Sequence, residues 1–185
     1  MTSELIMSGG SAPATPGAGT AKIFINSSKN LAIIDDTGRI LDLVNGPVVY
    51  SAAPANPTGT TNTTGLMMGL AGTITPALTG RILVTVTGTI FNTGTTIGNG
   101  GKTQLRFGTG SAPANAAALT GTAVGSVLTS VNESTTASTK QPFCCTALIS
   151  ALTLGTAYWL DLSLAQVGGG GTATIADLNF AVAEV

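Results

Sequence analysis

Cys144 and Cys145 are the two cysteines of the chain, and they are adjacent. On an extended strand their side chains leave opposite faces, which disfavours a bond between them. The expected arrangement buries one thiol as a small hydrophobe and leaves the other facing out or at a subunit contact. Two sulfurs fall short of the ligand set of a zinc site. The chain has no histidine. That removes the usual general base at neutral pH, the commonest metal ligand, and every Ser/His/Asp or Cys/His nucleophile system. The carboxylates are few and scattered. Asp35 and Asp36 are neighbours and fit a turn. Asp161 and Asp177 could meet from neighbouring strands, but a calcium site needs several converging oxygens and their spacing does not supply them. Gly108-Thr-Gly-Ser-Ala-Pro113 superficially resembles a phosphate loop but lacks the following helix and the third glycine or a lysine, and reads as an ordinary turn. Trp159 could stack on a sugar, although a Trp beside Tyr158 and Leu160 more often belongs to a core or an interface. No catalytic, metal-binding or cofactor-binding set emerges, and a non-enzymatic role is expected.

Composition explains why chemistry is scarce. Charged residues make up 8% of the 185, against about a quarter in an ordinary soluble domain, and the formal net charge is -1. Hydrophobic residues reach 43% while aromatics are 4%; threonine fills roughly a sixth of the chain. Thr and Val suit pleated, half-buried surfaces. Low charge with high hydrophobicity is the opposite of a disordered composition, and no collagen period is present. So few charges mean either that much of the surface is buried between subunits, the favoured reading, or that threonine hydroxyls alone solvate it. No basic patch exists, so nucleic acid is not an expected partner. No apolar run approaches the ~18 residues of a membrane helix, and Met1–Gly10 lacks the pattern of a secretory signal, so no membrane is expected either. Sequons at Asn26, Asn62 and Asn132 are expected by chance in a chain this rich in Thr and Ser.

These residues must be positioned by strands. Residues 1–19 are a Gly/Ser/Pro/Ala leader that would be ordered only where a partner surface holds it. Residues 20–46 hold six of the fifteen charges: Lys22, Lys29, Asp35, Asp36, Arg39 and Asp42. Three short strands are predicted there, Ala21–Asn26, Leu31–Asp35 and Arg39–Val44, joined by turns at Ser28–Asn30 and Asp36–Gly38. So small a meander cannot bury its own core and should dock on something. Segment 1–46 is thus expected to be an attachment arm, and the Pro/Gly-broken stretch 47–63 a linker. From residue 64 to 185 the chain reads as one all-β domain. Ile82, Val84, Val86 and Ile90 alternate with Thr85, Thr87 and Thr89. Tyr158, Leu160, Leu162 and Leu164 alternate with Trp159, Asp161 and Ser163, and Leu178, Phe180 and Val182 with Asp177, Asn179 and Ala181. Further strands are predicted at Lys102–Phe107, Val124–Thr129 and Phe143–Ile149, with one helical turn over Ala114–Leu119. Many short strands between Gly-rich turns predict an antiparallel sandwich or jelly roll.

Several stretches resemble a known family. Leu154-Gly-Thr-Ala-Tyr-Trp-Leu-Asp-Leu-Ser-Leu-Ala165 and the final Ala176–Val185 look like the last two strands of tumour necrosis factor-like jelly rolls in phage structural proteins. Thr79–Gly88 resembles an early strand of that domain, and Arg106–Asn115 and Leu119–Ser126 its middle. Residues 20–44 are similar to short segments near the N-terminus of phage fibre proteins. Together these cover about 130 residues. The resemblance implies a homotrimer on the virion, either a capsid decoration or head fibre gripping the major capsid protein or another virion protein, or a tail-fibre tip recognising a host glycan. It implies no catalytic residue, metal or cofactor. The chain has no heptads and no long repeat from which a fibre shaft could be built, which favours decoration.

Overall fold

A computed structural model describes residues 10–26, 31–38, 40–42 and 49–185. The chain divides into two compact units between Pro47 and Val48.

The first unit is a three-stranded antiparallel sheet in chain order: β1 (Ala21–Ile25), β2 (Leu31–Asp35) and β3 (Ile40–Asp42). Ala32 and Ile34 alternate inward and are buried. The described part of the leader lies against this sheet. Gly10 donates its N–H to Ile25, the Asp36 carboxylate accepts the Gly19 N–H at 2.6 Å, and Lys22 donates to the Ala14 carbonyl at 2.9 Å. What holds residues 10–19 is therefore the meander of the same chain. The expected turn at Asp36–Gly38 is present: Gly38 N–H bonds to the Asp35 carbonyl, and the Asp35 carboxylate accepts from the Thr37 N–H and hydroxyl. Ser28–Asn30 and Arg39 lie outside the described residues.

The second unit is all-β and antiparallel. Its strands are β4 (Val49–Ala52), β5 (Leu66–Met67), β6 (Gly72–Ile74), β7 (Ile82–Asn92), β8 (Gly100–Thr109), β9 (Thr122–Val131), β10 (Gln141–Ile149), β11 (Tyr158–Val167) and β12 (Ala173–Glu184). One sheet runs β10-β7-β12-β4; the other runs β5-β11-β8-β9, with β6 also on β11. If β5 and β6 are taken as one interrupted strand, the unit has eight strands that cross from one sheet to the other at every step except the β8–β9 hairpin, the jelly-roll arrangement. Alternation builds its core. Ile82, Val84, Val86 and Ile90 of β7 and Ile175, Phe180 and Val182 of β12 face Leu160, Leu162 and Leu164 of β11, all at most 3% exposed.

Three expectations change. The stretch 47–63, read as a linker, contains β4, which pairs with β12 from Phe180↔Ala52 to Ala183↔Val49; farther on, Thr60 bridges Ala173. Tyr50 of β4 packs edge-on against Phe180. Residues 114–119 form no helical turn. Ala117 N–H bonds to the Ala114 carbonyl, Ala116 takes φ +66°, and Ala118 bridges Leu66, so this is a β-turn that feeds an edge. Trp159 and Asp161 do point away from Leu160 and Leu162, yet both are buried.

Candidate functional site

The residues singled out for chemistry serve the fold. Trp159 is 6% exposed because the connection after β8 wraps its indole. A Cβ on Gly108 would stand 2.5 Å from the ring, and one on Gly121, which takes φ +67°, would collide with it. The indole N–H donates to the Thr109 carbonyl at 3.1 Å. The glycine of this stretch that resembles a phosphate loop thus clears space for an aromatic ring, as Gly121 does, and no face of that ring is free for a sugar.

Asp161 and Asp177 stand on strands of different sheets and do not converge. Asp161 is fully buried opposite the gap between β5 and β6. Its carboxylate accepts the N–H groups of Gly69 (2.8 Å), Leu70 (2.9 Å) and Leu162 (2.8 Å), bonds that the broken ladder would otherwise lack. Burial pushes its pKa above the ordinary carboxylate value against those bonds. Asp177 sits on a β-bulge of β12, exposed, bonded to Lys140 at 2.7 Å and to the Thr89 hydroxyl at 2.9 Å. The Lys140 bond, with that of Thr89, holds its carboxyl below the usual range. Glu184, which sequence reasoning passed over, is buried at the end of β12 and accepts N–H bonds from Ala77, Leu78, Thr79 and Gly80. Burial raises its pKa, the four N–H groups lower it, and the net shift is downward. Both cysteines are free thiols on β10, Cys144 exposed and Cys145 buried. Burial, and then the neighbouring Cys144, push Cys145 up to about 11. Asn132 of the third sequon is buried and donates to the Gly94 carbonyl. Among the described residues no group of three or more His, Cys, Asp or Glu side chains could hold a metal.

What the fold leaves unfilled is a surface. The outward positions of the β10-β7-β12-β4 sheet line up in register. Leu148, Leu83, Ala183 and Val49 form one row across all four strands; Thr146, Thr85, Ala181 and Ser51 form the next, and Cys144, Thr87 and Asn179 a third. None of these side chains is charged. Val49 is 71% exposed, Leu148 47% and Leu83 41%. Thr85 and Thr146 face each other with hydroxyls 3.3 Å apart. A shallow depression of about 270 Å³ runs between Val49, Leu83, Ala181 and Ala183. Exposed apolar side chains thus stand side by side on this face, where most surface apolar residues stand singly. The alternation of β7 and β12 was legible in the sequence; the alignment of leucine, alanine and valine positions from four separate strands was not.

No protein-family model matches the chain, and no curated protein matches it. Among solved structures it is similar to a chain in the structure of infectious bursal disease virus, Gx strain, at 18% identity and a TM-score of 0.42. The match covers 78% of this chain and 34% of the other, so this chain spans about a third of that one.

Proposed function

We propose that this chain is a non-enzymatic structural protein of a phage virion, a homotrimeric capsid decoration or head-fibre subunit. The observation that carries this reading is the uncharged row Leu148-Leu83-Ala183-Val49 with the threonine row beside it. Left in water, such a face exposes three large apolar side chains with no charge to keep copies apart; buried against other copies, it contributes hydrophobic association free energy. The number three and the phage setting come from the resemblance of the sequence to trimeric jelly rolls, and the face gives that trimer a contact surface. Segment 1–46 is the attachment arm to the major capsid protein or another virion protein. Ile23 and Ile40 of its small sheet are 61% and 48% exposed, apolar positions suited to docking.

The arm is tested by adding full-length protein and a form lacking residues 1–46 to particles stripped of the native copy. Co-sedimentation of the full-length form alone is the expected result, and the truncated form stays soluble because β4 to β12 are intact. Equal binding by both forms refutes the arm. Binding to tails and not to heads moves the protein to a second reading, a tail-fibre tip that recognises a host glycan. That reading is favoured by a polar trough on the other sheet.

A further inference from the structure

The outward face of the β5-β11-β8-β9 sheet is built differently. Lys102, Gln104 and Arg106 alternate along β8 and point to the same side as Ser163 and Ala165 of β11, their cross-strand neighbours. With Val127 of β9, Thr64, Gly65 and Leu119, they line a trough of about 230 Å³. Two of the four cations of residues 48–185, Arg81, Lys102, Arg106 and Lys140, stand in it.

Their acids are elsewhere. Lys140 and Asp177 pair with each other, and Glu184 is held by the backbone of residues 77–80. Asp161 faces Arg106 in the register, but its two oxygens take the N–H groups of Gly69, Leu70 and Leu162. The trough floor is fixed in place before any ligand arrives. Arg106 donates from Nε to the Thr120 carbonyl at 2.7 Å and from Nη2 to Gly121 at 3.0 Å; Gln104 donates to the Gly125 carbonyl at 2.8 Å. The Lys102 ammonium has no hydrogen-bond partner among the described residues, and the side chain is exposed. Leu119 and Val127, 37% and 52% exposed, give the trough apolar lips.

We propose that this trough binds a carboxylate-bearing saccharide, one acidic sugar ring at a time. The ammonium of Lys102 takes the carboxylate, a charge-assisted contact, while the remaining edge of the Arg106 guanidinium, four residues along β8, meets the far side of the ring. The Gln104 and Ser163 side chains meet ring hydroxyls, while Leu119 and Val127 pack on its C–H face. The volume lies below the ~300–1,000 Å³ of sites for larger ligands, which limits the occupant to about one ring. A pinned arginine loses little side-chain entropy on binding. The sheet involved is not the one with the uncharged row, so the site stays open in the proposed trimer, and it does not depend on whether the protein sits on head or tail.

The test is a titration of the full-length protein with sodium glucuronate, followed by the backbone amide resonances in heteronuclear NMR spectra. Glucose supplies the ring without the charge and sodium acetate the charge without the ring. Saturable shifts confined to residues around Lys102, Gln104, Arg106 and Ser163 are expected with glucuronate, with both controls at least about tenfold weaker. Lys102→Glu, at an exposed position, should leave mass and fold unchanged and weaken glucuronate at least about tenfold. Acetate binding as well as glucuronate, glucose binding as well as glucuronate, no saturable shift at the trough, or an unaffected Lys102→Glu variant would each overturn the proposal. None of these results would touch the arm or the trimer.

Discussion

The two sheets of the sandwich share an inner face of aliphatic side chains and differ on the outside. Across β10-β7-β12-β4 three successive outward rows, from Leu148-Leu83-Ala183-Val49 to Cys144-Thr87-Asn179, carry no charge, and the Lys140–Asp177 pair stands beyond them. Across β5-β11-β8-β9 the outward positions either lie under a loop, as Trp159 and Asp161 do, or carry Lys102, Gln104 and Arg106. The same period-two alternation produces both. A strand states only which residues face out, and whether an outward face is wet, covered by its own loop or offered to another copy depends on what crosses it. In this molecule the connection from Thr109 to Gly121 covers part of one sheet, and no segment of residues 49–185 covers the other.

The largest effect should come from placing a charge in the uncharged row. Leu83→Asp sits in the middle of that row and is exposed enough to fold in the monomer. It should convert the oligomer to monomer at micromolar concentration in native mass spectrometry, because an unpaired carboxylate buried at a contact is strongly unfavourable. Lys102→Glu, a larger charge change in the same direction on the opposite sheet, should leave the oligomer as it is. If both variants behave alike, the distinction between the faces is wrong.

Acid sharpens the comparison by smaller amounts, because each sheet holds one buried carboxylate and the two shift in opposite directions. Glu184, in β12, has a folded pKa below its unfolded value. It therefore contributes stability that is present above the unfolded pKa and lost as pH falls through the folded one. Asp161, in β11, has a folded pKa above its unfolded value. Between those two values the folded state holds the extra proton, so its contribution falls as pH rises through that window. Glu184→Gln should lower stability near neutral pH by about 1–3 kcal/mol, the scale of lost hydrogen bonds to a charged acceptor, and flatten the acid limb of the stability curve. Asp161→Asn should leave that limb in place. Thermal melts from pH 7 to pH 3 separate them, and an acid limb as steep in Glu184→Gln as in the parent would contradict the assignment, since the Lys140–Asp177 pair is exposed and supplies only a small remainder.

The cysteines give the smallest effect. Cys145 is buried with its pKa pushed up to about 11 and is almost all thiol at neutral pH. Reductant should change neither assembly nor melting temperature. A thiol-reactive probe should label Cys144 faster in Leu83→Asp than in the parent, since Cys144 lies in the third row of the same face. A covalent ladder on non-reducing gels would show the opposite, a cross-linked assembly.

Much of the fold was legible in the sequence because long strands announce themselves. β7 and β12 alternate cleanly over most of their length, and β1 and β2 fell within a residue of their expected ends; the expected ends of the third meander strand, at residues 39 and 44, lie outside the described residues. β4 was not legible. Val49-Tyr-Ser-Ala52 stands between Pro47 and Pro54, too short to show a period, and becomes a strand only because β12 offers an open edge. The phase of Trp159 and Asp161 was correct, yet their burial was hidden, since it comes from loops more than thirty residues away. Gly108 and Gly121 were the signal for the first; nothing local marks the Asp161 clamp across the β5–β6 break. The trough was equally hidden, because its walls come from residues 64–65, 119 and 127.

The central claim is that the uncharged face of the β10-β7-β12-β4 sheet is buried between copies of this chain. Native mass spectrometry of the full-length protein at micromolar concentration tests it most directly. The account predicts one species at three times the 18.2 kDa chain mass. A stable monomer at 18.2 kDa would contradict it.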